Sequence, residues 1–320
     1  MKILITGGAG FIASHVADAY VQAGYQVCIL DDLSRGSKNN LHPRCRFYLA
    51  DIWDRNAIEE IFAQEKPEVV NHHAAQMDVR RGVREPWFDA QVNILGSLNL
   101  IETAIAHGAK RFIYAATAGA GYGEPQRLPV PEEYPINPIT PYGVSKHTVE
   151  HYLFTFHALY GLDYVVLRYG NVYGPRQSSQ GEAGVFAVFC EQMLAGVQPV
   201  IYGDGSKLRD YVYVSDVAAA NVAALERGTC EIFNIGSGVP VSDLEVFNEV
   251  RQRLGKSGVT CRYAPKRPGE IDRICLDISK AQARLGWQPR VALAEGARMT
   301  AAYFLTRATG TGALAAGANR

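Results

Sequence analysis

Three observations predict a doubly wound, mostly parallel α/β sheet. Short apolar runs of strand length alternate with stretches of helical spacing from Met1 to about Pro175. The first run opens through a glycine-rich turn directly into a helix. Residues suited to a ligand, Gly7, Asp31, Thr117 and Asn171, each fall just past a run. Such alternation implies right-handed crossovers with helices on both faces, and ligands bind beyond the carboxyl ends of the strands.

The runs are Met1–Thr6, Gln26–Leu30, Cys45–Leu49, Glu68–Asn71, Arg111–Ala115 and Tyr164–Leu167, with Gly10–Val21 as the first helix. After about residue 175 the alternation weakens. A polar, loop-like stretch from Pro175 to Gly184 precedes helices expected at Val185–Leu194, Ser242–Leu254, Ser279–Leu285 and roughly Ala292–Thr306. The expected division is a Rossmann-type domain over 1–175 and a smaller C-terminal α/β substrate lobe over 176–310, from which some strands return to the first sheet. A flexible tail, rich in Gly, Ala and Thr, is expected over 311–320. No internal repeat is present.

The 320 residues carry 32 basic and 32 acidic side chains, with a pI near 7.1. There is no basic stripe for nucleic acid and no polybasic tail for a membrane surface. No stretch reaches the roughly 18 apolar residues a membrane span needs. Six scattered cysteines without a C-x-x-C pair favour reduced thiols over a disulfide frame, and their spacing suggests no metal. The chain opens directly into a strand, so a cytoplasmic location is expected.

Gly7-x-x-Gly10-x-x-Ala13 lies between the first strand and helix. Glycines there allow a tight turn and bring the backbone against a pyrophosphate, which the helix N-terminus attracts. Asp31 ends the next strand at about the 20-residue spacing at which a carboxylate accepts from an adenosine ribose 2′-hydroxyl. It would repel a 2′-phosphate, so NAD is expected rather than NADP. Arg35 is the counter-signal, since a guanidinium in this loop could meet that phosphate. Asp51-Ile52 could touch the adenine, or Asp51 could simply cap a helix.

Tyr142 and Lys146 stand four apart on a segment entered through Pro141, so both side chains share one helix face. An ammonium one turn away favours a phenolate and suits Tyr142 to take a proton from a substrate hydroxyl. Thr117, after the strand ending at Ala115, can hydrogen-bond the same oxygen. Taken alone it could equally be a turn residue.

These residues resemble the extended short-chain dehydrogenase/reductase family, and within it the UDP-glucose 4-epimerase-like branch of NAD-dependent epimerases and dehydratases. The likeness runs from residue 1 to about 307. It is carried by Thr6–His15, His73-Ala74-Ala75-Gln76, Val92–Gly96, Pro141–Lys146, Leu167–Gln177, Arg209–Val214 and Arg267-Pro268-Gly269-Glu270. The resemblance implies a retained NAD held by Gly7, Gly10, Phe11, Ile12, Asp31, Asp32, Ser34, Arg35, Gly36, Asp51, Ile52, Ala74, Ala75, Gln76, Asn93, Tyr142, Lys146 and Tyr169. It implies catalysis by Thr117, Tyr142 and Lys146 on a UDP-hexose held by Thr117, Tyr142, Asn171, Arg209 and Arg267. Two readings of Tyr202 stand at this point, a ring that stacks on the uracil and a core aromatic. A homodimer through a four-helix bundle built from the helices near Pro86–Ala106 and Pro141–Tyr160 is also implied.

Two departures bear on the reaction. The family's dehydratases place an Asp-Glu pair after the catalytic threonine, whereas this chain has Ala118-Gly119. Gly121 stands where the family usually has valine or isoleucine. UDP-glucuronate and UDP-N-acetylglucosamine 4-epimerases remain as alternatives: Arg80, Arg81 and Arg176 could each meet a carboxylate, and Ile274 occupies the position that gates N-acetyl sugars. A non-catalytic NAD sensor is the rival from another class.

Overall fold

The computed structural model describes residues 1–179, 184–267 and 270–317. Gln180–Ala183 of the expected polar loop, Pro268-Gly269 of the Arg267–Glu270 motif, and residues 318–320 of the expected tail lie outside the described residues. The strands are β1 (Lys2–Thr6), β2 (Gln26–Asp31), β3 (Arg46–Leu49), β4 (Val69–His72), β5 (Arg111–Thr117), β6 (Asp163–Tyr169), β7 (Asn171–Tyr173), β8 (Val200–Tyr202), β9 (Leu208–Tyr213), β10 (Glu231–Ile235), β11 (Pro240–Ser242) and β12 (Arg262–Ala264). The helices are α1 (Phe11–Gln22), α2 (Arg55–Glu65), α3 (Val79–Arg84), α4 (Pro86–Ala90), α5 (Gly96–Ala106), α6 (Gly119–Tyr122), α7 (Pro141–Tyr160), α8 (Val185–Leu194), α9 (Val214–Ala223), α10 (Asp243–Arg253) and α11 (Leu293–Gly317).

Seven strands form one parallel sheet in the order β10-β6-β5-β4-β1-β2-β3. The side-chain period of two splits β1 between the faces. Ile3 and Ile5 pack with α1 and α9, while Leu4 packs with α2, α5 and α7. Chain order reverses between β1 and β4, which is where a doubly wound sheet opens a ligand crevice. β10, although late in sequence, joins this sheet beside β6. A three-stranded sheet, β11-β9-β7, and the parallel pair β8–β12 carry the other strands. A separate core there is formed by α8, α10 and α11 packed on β9, with Phe186, Phe189, Phe247 and Phe304 buried in it.

Two features differ from the sequence expectation. The stretch near Pro86–Ala106 is helical throughout but passes through a π-helical turn at Gln91–Leu95. Such a turn swings side chains off the regular helical face, here Asn93. The last helix continues through Gly317 into the segment expected to be a flexible tail. Alanines at 313, 315 and 316 are strong helix formers and offset the glycines among them.

Candidate active site

The crevice is built by close backbone approach. Gly7 sits at φ +71°, and a Cβ there would lie 2.8 Å from the Ala74 amide nitrogen and 3.0 Å from the His73 carbonyl carbon. β1 and β4 therefore release their chains almost in contact, with Ala74 N–H donating to the Thr6 hydroxyl at 3.1 Å. Gly10 ends the turn by donating to the Gly7 carbonyl. No side chain caps α1, so its first-turn N–H groups stay available to an anion. Phe11 reaches toward the second core and Ile12 packs on the first.

Asp31 is buried at the end of β2, where its carboxylate accepts from the Ala9 N–H at 3.0 Å and the Leu33 N–H at 2.8 Å. Burial pushes its carboxyl above the usual range, against those two donors. Both oxygens retain acceptor capacity for hydroxyls. Gly36 passes so close that a Cβ would meet Asp31 Oδ1 at 2.6 Å. Asp32 accepts from Ser34 N–H and Oγ and shapes the same loop. Arg35 is paired with Asp78 at 3.5 Å, across from the loop after β4. That pairing answers the counter-signal for a 2′-phosphate. Asp51 bonds the Trp53 N–H, while the cap of α2 is Asp54. Ile52 is buried and its carbonyl accepts from Asn99. Asn93 holds the Gln76 backbone from both sides, accepting its N–H at 2.8 Å and donating to its carbonyl at 2.9 Å. Together these groups fit a dinucleotide lying across the carboxyl edge of the sheet.

The catalytic candidates ride on elements packed against one another beside it, Thr117 on β5 and Tyr142 and Lys146 on α7. Thr117 ends β5, in register with Tyr169 at the end of β6. α7 starts at Pro141 behind its N-cap Thr140, whose hydroxyl accepts from the Gly143 N–H. Gly143 presses on the turn after Thr117: a Cβ would lie 2.9 Å from Pro138 Cβ and 3.0 Å from the Ala120 carbonyl carbon. This contact, unread in the sequence, sets Tyr142 against the Thr117 segment. Lys146, only 4% exposed, holds its Nζ 4.3 Å from the centre of the Tyr114 ring. Burial lowers its ammonium to about 7, with Glu150 and Asp89 opposing the drop. Enclosure likewise lowers His73 to about 3, helped by the Lys146 charge. His73 is neutral, stacked on Tyr169 and hydrogen-bonded to its hydroxyl at 3.1 Å.

Asp89 was not singled out by any motif, yet it ties the two halves together. One carboxylate oxygen accepts from Ser145 on α7 at 2.6 Å and the other from the Gln76 side chain at 3.1 Å. Gly82 leaves room for it, since a Cβ there would lie 2.8 Å from Asp89 Oδ2.

On the other side of the crevice, the Arg267 guanidinium carbon lies 3.6 Å from the centre of the Tyr202 ring, and its hydrogen bond to the Tyr202 hydroxyl, with its charge, lowers that hydroxyl. Tyr202 is therefore part-exposed beside a cation and is no core aromatic. Arg209 donates to the carbonyls of Leu208, Ile271 and Asp272, so it shapes the segment that follows Arg267. Asn171 is exposed at the start of β7. The fully buried Asp210, which sequence reading also missed, accepts from Ser237, Gly238 and Leu276 N–H groups and anchors these loops. Arg176 and Arg81, considered for a sugar carboxylate, are engaged elsewhere. Arg176 pairs with Asp18 at 2.8 Å, and Arg81 pairs with Glu85 at 3.0 Å. Ile274 is buried against Ala118 and Tyr122.

Residues 3–236 match the NAD dependent epimerase/dehydratase family. The chain belongs to that family. A UDP-glucose 4-epimerase of Mycolicibacterium smegmatis is 42% identical over 310 residues, covering 95% of this chain and 98% of that one. The crystal structure of UDP-glucose 4-epimerase from Thermotoga maritima with UDP-glucose superposes with a TM-score of 0.94 at 47% identity, covering 96% and 99% of the two chains. The Thermus thermophilus UDP-glucose 4-epimerase complex with NAD gives 0.91 at 40% identity, covering 95% and 99%. Epimerase/dehydratase membership thus agrees with the resemblance read from the motifs.

Proposed function

We propose that this family member epimerises the 4-position of a UDP-hexose, interconverting UDP-glucose and UDP-galactose through a transient 4-keto sugar. The observation that carries the reading is Tyr142 and Lys146 on α7, locked by Gly143 against the Thr117 turn and by Asp89 to the dinucleotide crevice. NAD, held by the Gly7–Gly10 turn, the α1 N-terminus and Asp31, supplies a hydride acceptor that returns the hydride. Tyr142 takes the proton of the sugar 4-hydroxyl and gives it back, and Thr117 orients that oxygen. Lys146 favours the phenolate and holds the nicotinamide ribose. Arg267 and Arg209 meet the diphosphate, Tyr202 the uracil, and Asn171 the neighbouring phosphate or sugar.

The absence of an acid–base pair after Thr117, where Ala118 and Gly119 stand, speaks against loss of water from the sugar. The pairing of Arg176 with Asp18 and of Arg81 with Glu85 speaks against these two of the three arginines as partners of a uronate carboxylate. Incubating the purified protein without added cofactor with UDP-galactose, UDP-N-acetylgalactosamine or UDP-galacturonate tests the reading. Conversion of UDP-galactose to UDP-glucose is expected. No conversion even with added NAD would overturn it.

Two copies pair through the helices at 86–106 and 141–160. In the single chain these expose Trp87 (90%), Leu95 (58%), Phe154 (64%) and Leu159 (64%), an apolar surface suited to burial against itself. Residues 1–175 serve the dinucleotide, and 176–310 serve mainly the nucleotide sugar. No helix among the described residues is long and apolar enough to cross a membrane. The six free thiols suit a reducing cytoplasm.

A further inference from the structure

The carboxyl edge of the sheet holds the crevice, while the opposite, amino-terminal edge gathers three metal-ligating side chains from three elements. His157 lies in the last turn of α7. Gly161, at φ +71°, ends that helix and turns the chain back through Leu162 to Asp163, the first residue of β6. Cys230 immediately precedes β10, in left-handed backbone at φ +59°, and its N–H donates to the Tyr164 carbonyl at 2.7 Å. Because β10 pairs with β6, these turns converge. Cys230 Sγ lies 3.2 Å from His157 Nδ1 and 3.9 Å from Asp163 Oδ1, and that oxygen lies 3.9 Å from Nδ1.

Tetrahedral zinc, at about 2.3 Å from sulfur and about 2.0–2.1 Å from nitrogen and oxygen, sets its ligand atoms roughly 3.3–3.6 Å apart. The observed triangle meets that with shifts of roughly half an ångström. The Leu162 carbonyl oxygen lies 3.2 Å from Nδ1, and the fourth position is open to a water. We infer that His157, Asp163 and Cys230 form a zinc site that clips the end of α7 to β6 and β10.

A thiolate with an imidazole selects zinc over magnesium or calcium, which take oxygen ligands. Binding is a proton exchange: Zn²⁺ replaces the Cys230 thiol proton, which leaves to solvent, while the neutral imidazole binds through Nδ1 and keeps its proton on Nε2. The Arg111 guanidinium is a neighbour of Cys230. Arg111 is itself held by the Ala224 and Arg227 carbonyls and the Thr229 hydroxyl. His157 and Asp163 side chains are each 40% exposed in the single chain. The ligands stand at 157, 163 and 230, a spacing that no short sequence motif captures.

The test uses tag-free, full-length protein with its dinucleotide, stripped of metal with a chelator and titrated with Co²⁺. A thiolate-to-cobalt charge-transfer band saturating at one equivalent per chain is expected. In Cys230→Ser the band should be absent, and in His157→Gln and Asp163→Asn Zn²⁺ affinity, measured by competition, should fall by at least roughly tenfold, the loss that removal of a mere outer-shell partner already causes. Circular dichroism and gel filtration establish that each variant is folded. If one variant is not, the remaining two read the same site. No band in the wild type, or an equal band in Cys230→Ser supplied by the other thiols, would overturn the inference.

Discussion

Gly143→Ala is the sharpest probe of how α7 is seated. On an isolated helix this change would stabilise by about 0.5–1 kcal/mol, because alanine is the better helix former. Here the new methyl would fall 2.9 Å from Pro138 Cβ and 3.0 Å from the Ala120 carbonyl carbon, and closer still to its oxygen. Carbon atoms pack at about 3.5–4.0 Å, so the first turn of α7 must retreat by roughly 1 Å or the Ala118–Gly121 turn must yield. Overpacking of this kind costs about 1–3 kcal/mol, which outweighs the helix gain. Tyr142 adjoins Gly143 and Thr117 lies just before the displaced turn, so the two catalytic candidates move apart. A displacement near 1 Å can cost on the order of a hundredfold in rate. A steady-state UDP-galactose assay should therefore show kcat down by about that factor, with urea denaturation showing a net loss of about 1–2 kcal/mol. Turnover within threefold of wild type would refute the claim that this contact positions the tyrosine.

Three further outcomes follow from the same geometry. Lys146→Met should abolish turnover of the NAD-loaded protein yet raise the stability of the dinucleotide-free protein. An ammonium lowered from 10.5 to about 7 disfavours the charged folded state, by at most about 5 kcal/mol. The folded chain then binds fewer protons than the unfolded one across that window, so wild-type stability rises from about pH 7 to pH 10 and the advantage of the variant fades. Urea midpoints at both pH values check the sign. Arg168→Leu should cost about 3 kcal/mol, because it takes from Glu150 the guanidinium that holds it at 3.0 and 2.6 Å in the core and leaves it His147 at 3.1 Å. Chemical denaturation should show the double variant with Glu150→Leu recovering part of that loss. Phe154→Asp should convert the proposed dimer to monomer in light scattering, since it puts a carboxylate into the surface expected to self-associate.

Local pattern carried the crevice and half the catalytic apparatus. A glycine turn between strand and helix, a carboxylate at the end of β2 and a Tyr/Lys pair one turn apart are all short-range, so periodicity and turn chemistry expose them. What stayed hidden depends on long-range pairing. Arg168 and Glu150 read as ordinary charges until β6 and α7 are brought together. Asp210 reads as a strand residue until three distant N–H groups converge on it. That a strand of the second lobe returns to the first sheet was expected; which one returns, β10 beside β6, cannot be inferred without the intervening fold. Asn93 was marked through the family motif. Only the π turn explains how it reaches the Gln76 backbone.

The unmarked Asp89 carries the most consequence for function. Catalysis of the proposed kind needs the base and the dinucleotide fixed relative to one another, yet they ride on different elements: α7 and the loop after β4. Asp89 divides its two oxygens between them, one on Ser145 and the other on Gln76, while Asn93 pins the Gln76 backbone. Buried charge-assisted hydrogen bonds are stiff and directional, so a displacement of α7 is carried to the cofactor loop. Lys146, in the next position along the same helix, also feels the Asp89 charge, which opposes the cost of its burial. One carboxylate thus both registers the two halves of the site and helps keep its ammonium charged. This explains why Ser145, between the better-marked Tyr142 and Lys146, has a place in the motif without facing the chemistry.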